Sequence, residues 1–171
     1  MSDFCVVVAD SARARLFTLE ESGVAEGGPN LVEISSLANA AAEAQDNEIF
    51  AAKRGRNTAP AEGGIHAYDD HREDHNQENE RRFAKDVIAA AVQTLQREKA
   101  GVLVLAANPR MMGYLREARD AASLDVRVKE VHKDLTKLSV HEVHRHLTAD
   151  GLLPQREPAE SQRYTPSGQP Q

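Results

Sequence analysis

The chain has no tryptophan, aromatic residues make up 4% of it, and a single cysteine stands at position 5. With so few rings, the core must be built from Val, Leu, Ile and Ala. One cysteine forms no intrachain disulfide, which fits a reducing cytoplasm. It lies inside the apolar run FCVVVAD, so it reads as a buried structural thiol rather than a nucleophile. No apolar run approaches the ~20 residues of a membrane-spanning helix. The acidic start MSDFCVVVADSARAR also lacks the basic n-region of a secretory signal, so no membrane partner is expected. Positive charge is not in excess either: 21 Lys and Arg stand against 27 Asp and Glu, for a formal net charge of -6. Nucleic-acid binders usually carry a basic surface, so any RNA contact must come from a local patch. Walker, GxGxxG and GxSxG motifs are missing, and no cofactor is expected.

What is present points to one α/β domain over 1–150. FCVVVAD (Phe4–Asp10) is a β-branched run of the kind found in buried strands. ARARLFTLE (Ala12–Glu20) follows after a tight turn, and LVEISSLAN (Leu31–Asn39) follows the turn residues SGVAEGGPN. Three strands in succession predict an antiparallel meander. From about 40 to 79 neither a period of 2 nor one of 3.6 holds throughout. This stretch is expected to be a long mobile insertion loop, helical at most in part. In FAKDVIAAAVQTLQREKAG, Phe83, Val87, Ile88, Ala91, Val92 and Leu95 form one helical stripe, with Gly101 as the expected terminator. VLVLAA (Val102–Ala107) reads as a central strand. Asn108 and Pro109 open a helix as N-cap and first residue, DVRVKEV (Asp125–Val131) reads as another strand, and Ser139 with Glu142 has capping-box spacing. The expected order is β-β-β-(long loop)-α-β-α-β-α in one mixed sheet, with parallel neighbours in the second half. The Pro-, Gln- and Ser-rich end, 151–171, is expected to be a disordered tail.

Several groups have residue types that carry chemistry. His66, Asp69, Asp70, His71, Asp74 and His75 cluster between 66 and 75. His71 and His75 are four apart, so a helix would put both on one face, a spacing that can hold zinc or nickel. Without a third fixed ligand, the plainer reading is a solvated stretch of mixed charge. His141, His144 and His146 fall on the flank or exposed face of a helix whose core positions are Val140, Val143 and Leu147. Arg13, Arg15, Arg110 and Arg116 are candidates for a basic patch. Lys53, Arg54 and Arg56 precede a glycine pair, Gly63-Gly64, that is followed by Ile65.

The pieces VVVADSARARLF, LVLAANPRMMGYLR and KDLTKLSVHEV together resemble the bacterial host attachment protein family, over about Phe4 to Leu147. The resemblance implies a Rossmann-like or ribonuclease-H-like fold, similar to the middle domain of archaeal and eukaryotic peptide-chain release factors. In those factors the loop before the first long helix carries Gly-Gly-Gln. Here Gly63-Gly64 occupy the corresponding loop, but Ile65 replaces the glutamine, so esterase chemistry is not expected. The implied function is a non-enzymatic cytoplasmic adaptor. Its partner is the ribosome or another RNA-bearing machine, met through Lys53, Arg54, Arg56, Gly63, Gly64 and Ile65. The alternative is a protein–protein module that supports attachment to a host. A metal-dependent hydrolase built on His71 and His75 ranks third.

Overall fold

The computed structural model describes residues 2–21, 27–54 and 66–158, with 66–70 described by backbone alone. Strand β1 (Phe4–Ala9) sits at the centre of a five-stranded sheet. It pairs antiparallel with β2 (Arg13–Glu20), and β2 pairs antiparallel with β3 (Asn30–Ala38), giving the expected meander. On its other side β1 pairs parallel with β4 (Val102–Ala107), which pairs parallel with β5 (Arg127–Val131). The sheet order is β3-β2-β1-β4-β5.

Alternation along the strands splits the core into two layers. Cys5, Val7, Ala14, Leu16, Leu103 and Leu105 face one way, beneath α2 (His66–Glu98) and α3 (Pro109–Ala121). Val6, Val8, Phe17, Leu19, Val104 and Ala106 face the other way, beneath α4 (Val140–Ala149), Leu135 and Leu153. A sheet apolar on both faces needs helices on both faces, which explains the near-continuous apolar character of β1 and β4.

The helix signals act as their chemistry requires. Phe83, Val87, Ile88, Ala91 and Leu95 are buried along α2. The Asn108 side chain accepts the Met111 N–H at 2.9 Å, with Pro109 opening α3. Ser139 and Glu142 form a reciprocal capping box at α4. Gly101 does not end α2. The left-handed residue is Lys99, at φ 54, and the Ala100 N–H donates to the Leu95 carbonyl at 3.0 Å. Leu95 and Ala100 are both buried. That bond is the 6→1 bond of a Schellman ending, and it holds Lys99 against a left-handed cost of roughly 1–2 kcal/mol.

Two further expectations are corrected. The stretch from 40 to 79 is not a continuous loop, because α1 spans Ala40–Arg54 and α2 begins at His66 rather than near 78. Helix α1 has no buried residue, so it leaves no apolar period to read. Its helicity rests on alanine propensity, on Glu43 near its N-terminus and on Lys53 and Arg54 at its end. Order also continues past 150. Gly151 at φ 73 turns the chain, the Leu152 N–H donates to the Leu147 carbonyl at 2.9 Å, and Leu153 is buried. Glu157 and Gly28 then exchange two backbone hydrogen bonds. Residues 152–158 are thus a strap laid on α4; 159–171 lie outside the described residues.

Candidate functional site

The turn after β1, the end of β3 and the start of α3 all lie at one end of the sheet. In mixed and parallel α/β sheets this carboxyl end is where functional groups usually gather. Asp10 closes the turn there: its Oδ1 accepts the N–H groups of Ala12 and Arg13, each at 2.8 Å. Its Oδ2 lies 3.0 Å from the Thr136 hydroxyl, which is also 2.6 Å from Asp134 Oδ1. Asn39 ties α1 to this end. Its Nδ2 donates to the Ser11 carbonyl at 2.9 Å, its backbone N–H donates to the Ala12 carbonyl at 2.8 Å, and its Oδ1 accepts the Ala41 N–H at 3.3 Å. Asn39 is buried although the helix it starts is not.

From that anchor α1 runs beside the exposed first half of α2, and the two form an arm. Asn39, Gln45, Asp46, Asn76, Glu80 and Arg110 line a polar cleft at its base. Further out, Ile49 and Phe50 are the large exposed apolar side chains of the described protein, at 42% and 69% exposure. A shallow cavity of about 210 Å³ beside them is lined by Glu48, Ile49, Ala52, Lys53 and Arg72. The arm therefore presents an apolar pair edged by cations. Sequence reasoning missed Ile49 and Phe50 because they form an adjacent pair rather than a stripe. Their signal was two bulky apolar residues in a segment with no core face.

The other expected residues are scattered. Lys53 and Arg54 are exposed in the last turn of α1. Arg56, Gly63, Gly64 and Ile65 lie outside the described residues. His71 and His75 are exposed on successive turns of α2, and among the described residues no three His, Cys, Asp or Glu side chains converge as a metal-holding group.

The four arginines do not assemble into a patch. Arg15 lies on the α4 side, bonded to Glu33 at 2.6 Å and to the carbonyls of Thr136 and Leu138. Arg110 and Arg116 are on α3, across the sheet, paired with Glu80 at 2.9 Å and Glu130 at 2.6 Å. Arg13 is exposed. Hydrogen bonding from Arg116, with Arg119 also close, holds the Glu130 carboxyl below the usual carboxylate range. Three of the four charges are therefore matched locally, which leaves little to attract phosphate.

Among the described residues two titratable groups are buried, Cys5 and His144. Cys5 is fully buried, and burial pushes its thiol up to about 12, so it is inert at neutral pH. His144 was expected on a flank or exposed face, yet it is 6% exposed, with Nε2 3.3 Å from the Pro154 carbonyl. The strap covers it, and the strap was read as disordered tail. Burial pushes the His144 imidazole below its ordinary pKa.

No helix among the described residues is long and apolar enough to cross a membrane. A search of curated proteins finds no match. Residues 5–147 match the model of the family described as "Protein required for attachment to host cells". The match begins inside β1 and ends in α4, so it spans the whole sheet together with the arm and its anchor. The chain belongs to this family of proteins required for attachment to host cells.

Proposed function

We propose that the protein serves attachment to host cells as a non-enzymatic adaptor, and that the α1–α2 arm is the surface it offers to a protein partner. The observation that carries this reading is the state of α1. This helix contributes no side chain to the core, yet it exposes Ile49 and Phe50. Exposed bulky apolar groups cost solubility and are typical anchors of recognition surfaces. Over 40–54 and 66–82 the arm's sequence has nine Asp and Glu against five Lys and Arg. That balance favours a protein partner over a phosphate backbone. In this reading the protein works in the cytoplasm and its part in attachment is indirect, which cell fractionation tests directly.

The test is attachment of a strain whose own copy is replaced by Ile49→Ser/Phe50→Ser. Attachment to host cells is expected to fall while the protein accumulates to its normal level. Normal attachment with a normally folded double variant would remove the reading.

A second reading rests on a different observation. In the sequence Gly63-Gly64 lie between α1 and α2, the order in the chain that a ribosome-directed, release-factor-like arm on a Rossmann-like or ribonuclease-H-like domain calls for. Co-sedimentation with ribosomes in low salt, lost on deletion of 53–75, would favour that reading. Absence from every ribosomal fraction would leave the protein-partner reading alone.

A further inference from the structure

A second cavity, of about 390 Å³, lies far along the chain from the arm, between α4 and the strap. Among the described residues its lining includes His141, His144, Arg145, Thr148, Gln155 and Arg156, and no carboxylate. In a chain of formal net charge -6, a cavity whose described lining is cationic and neutral is unexpected. Two of the nearby carboxylates are engaged elsewhere. Glu142 is held by Ser139 in the capping box, and Asp150 is paired with Lys133 at 2.7 Å. Most of the well-placed arginines of this protein are matched to acids, as Arg15, Arg81, Arg110, Arg116 and Arg119 are. Among the described residues, Arg145 and Arg156 form no such ion pair, and both are exposed and line the cavity.

We propose that this cavity binds a small phosphate-type oxyanion, gripped between Arg145 of α4 and Arg156 of the strap. Two guanidinium forks, with His141 and the Gln155 amide, supply more donors than the two oxygens of a carboxylate can use. They suit the three oxygens of a phosphoryl group. The cavity is larger than one phosphate ion needs. Ala149 and the His144 ring give the remainder an apolar wall, so there is room for the organic part of a phosphate monoester. Because one arginine sits on each side, a bound anion also fastens the strap to α4. The site is independent of the arm and does not rest on the adaptor reading.

The experiment is a titration of the full ¹⁵N-labelled chain with phenyl phosphate and, separately, with inorganic phosphate, followed by amide and imidazole shifts. One saturable site is expected, with shifts concentrated in α4 and 152–158. Arg145→Gln and Arg156→Gln should each weaken binding about tenfold, since each removes a charged hydrogen-bond donor. Arg82→Gln, an exposed arginine on α2 over the opposite face of the sheet, should leave binding unchanged. Tighter binding of phenyl phosphate assigns an ester ligand, and equal binding assigns free phosphate; either supports the site. Shifts that do not saturate, or binding that survives the Arg145→Gln/Arg156→Gln double variant, would overturn it.

Discussion

Asn39 is the joint between sheet and arm, and replacing it separates local from global stability. In Asn39→Ala the Ser11 carbonyl loses its donor, and the Ala41 N–H loses the side-chain acceptor at the start of α1. Loss of an N-cap costs about 0.5–2 kcal/mol. A carbonyl left without its partner at a buried residue costs about 1–3 kcal/mol unless water reaches it. Pocket space beside Ser11, Ala12 and Asn39 lets water in, so the low end applies, and the sum is about 2 kcal/mol. For a chain of this size that corresponds to a fall in Tm of about 4–8 °C. The cost falls unequally across the fold. Since α1 has no core contact to hold it, its amides should exchange much faster in the variant, while those of β1 and β4 slow or speed only with global stability. Asn39→Asp keeps the acceptor for Ala41 but not the donor to Ser11, and should recover about half the loss. Hydrogen exchange by mass spectrometry, read beside a thermal melt, makes the measurement. Unchanged exchange in α1 together with an unchanged melt would refute the anchoring role.

Other perturbations bear on the frame. Phe17→Ala empties a fully buried ring position on the α4 side of the sheet and should cost about 3–5 kcal/mol in a denaturant titration. Ser139→Ala removes one half of the capping box and should cost about 1 kcal/mol by the same measurement. For His144, burial lowers the folded-state pKa below the ordinary 6.5, and the neighbouring positive charges of Arg156 and His141 add to this against the pull of the Pro154 carbonyl. The unfolded chain therefore takes up the proton first. Stability is full above about pH 6.5 and is lost as pH falls below it. Arg145 also lines this region and adds no acid to offset the effect. Melts from about pH 8 to about pH 5 should show this slope, and His144→Gln should flatten it.

How far these features could be read in the sequence followed from what each segment buries. β1 and β4 are buried on both faces, and their unbroken apolar runs FCVVVA and VLVLAA announce it. α2 buries one stripe over its second half, and only that half showed a period. The caps at Asn108 and Ser139 were legible because capping chemistry is local: donor and acceptor sit within three residues. α1 was not legible, because a helix that packs nothing leaves no periodic trace. The strap was hidden by composition. LLPQREP mixes polar residues with two prolines, and its two leucines read as part of a tail until Gly151 turns Leu153 under α4. The burial of His144 was lost with it, since the group that covers His144 is ten residues further along the chain. The arginines failed as a patch for a related reason. Sequence shows where positive charges are, while their partners Glu33, Glu80 and Glu130 are brought in by the fold.

The most direct test of the arm's role is site-specific photo-crosslinking in living cells, with a benzophenone-bearing phenylalanine analogue in place of Phe50. At 69% exposure, this position accepts a larger ring without disturbing the core. An analogue in place of Arg127 on β5 serves as the control. A partner surface on α1 requires a discrete crosslinked protein species from position 50 that the control does not give, and that Ile49→Ser diminishes. Identical patterns from both positions, or crosslinks to RNA alone, would contradict it.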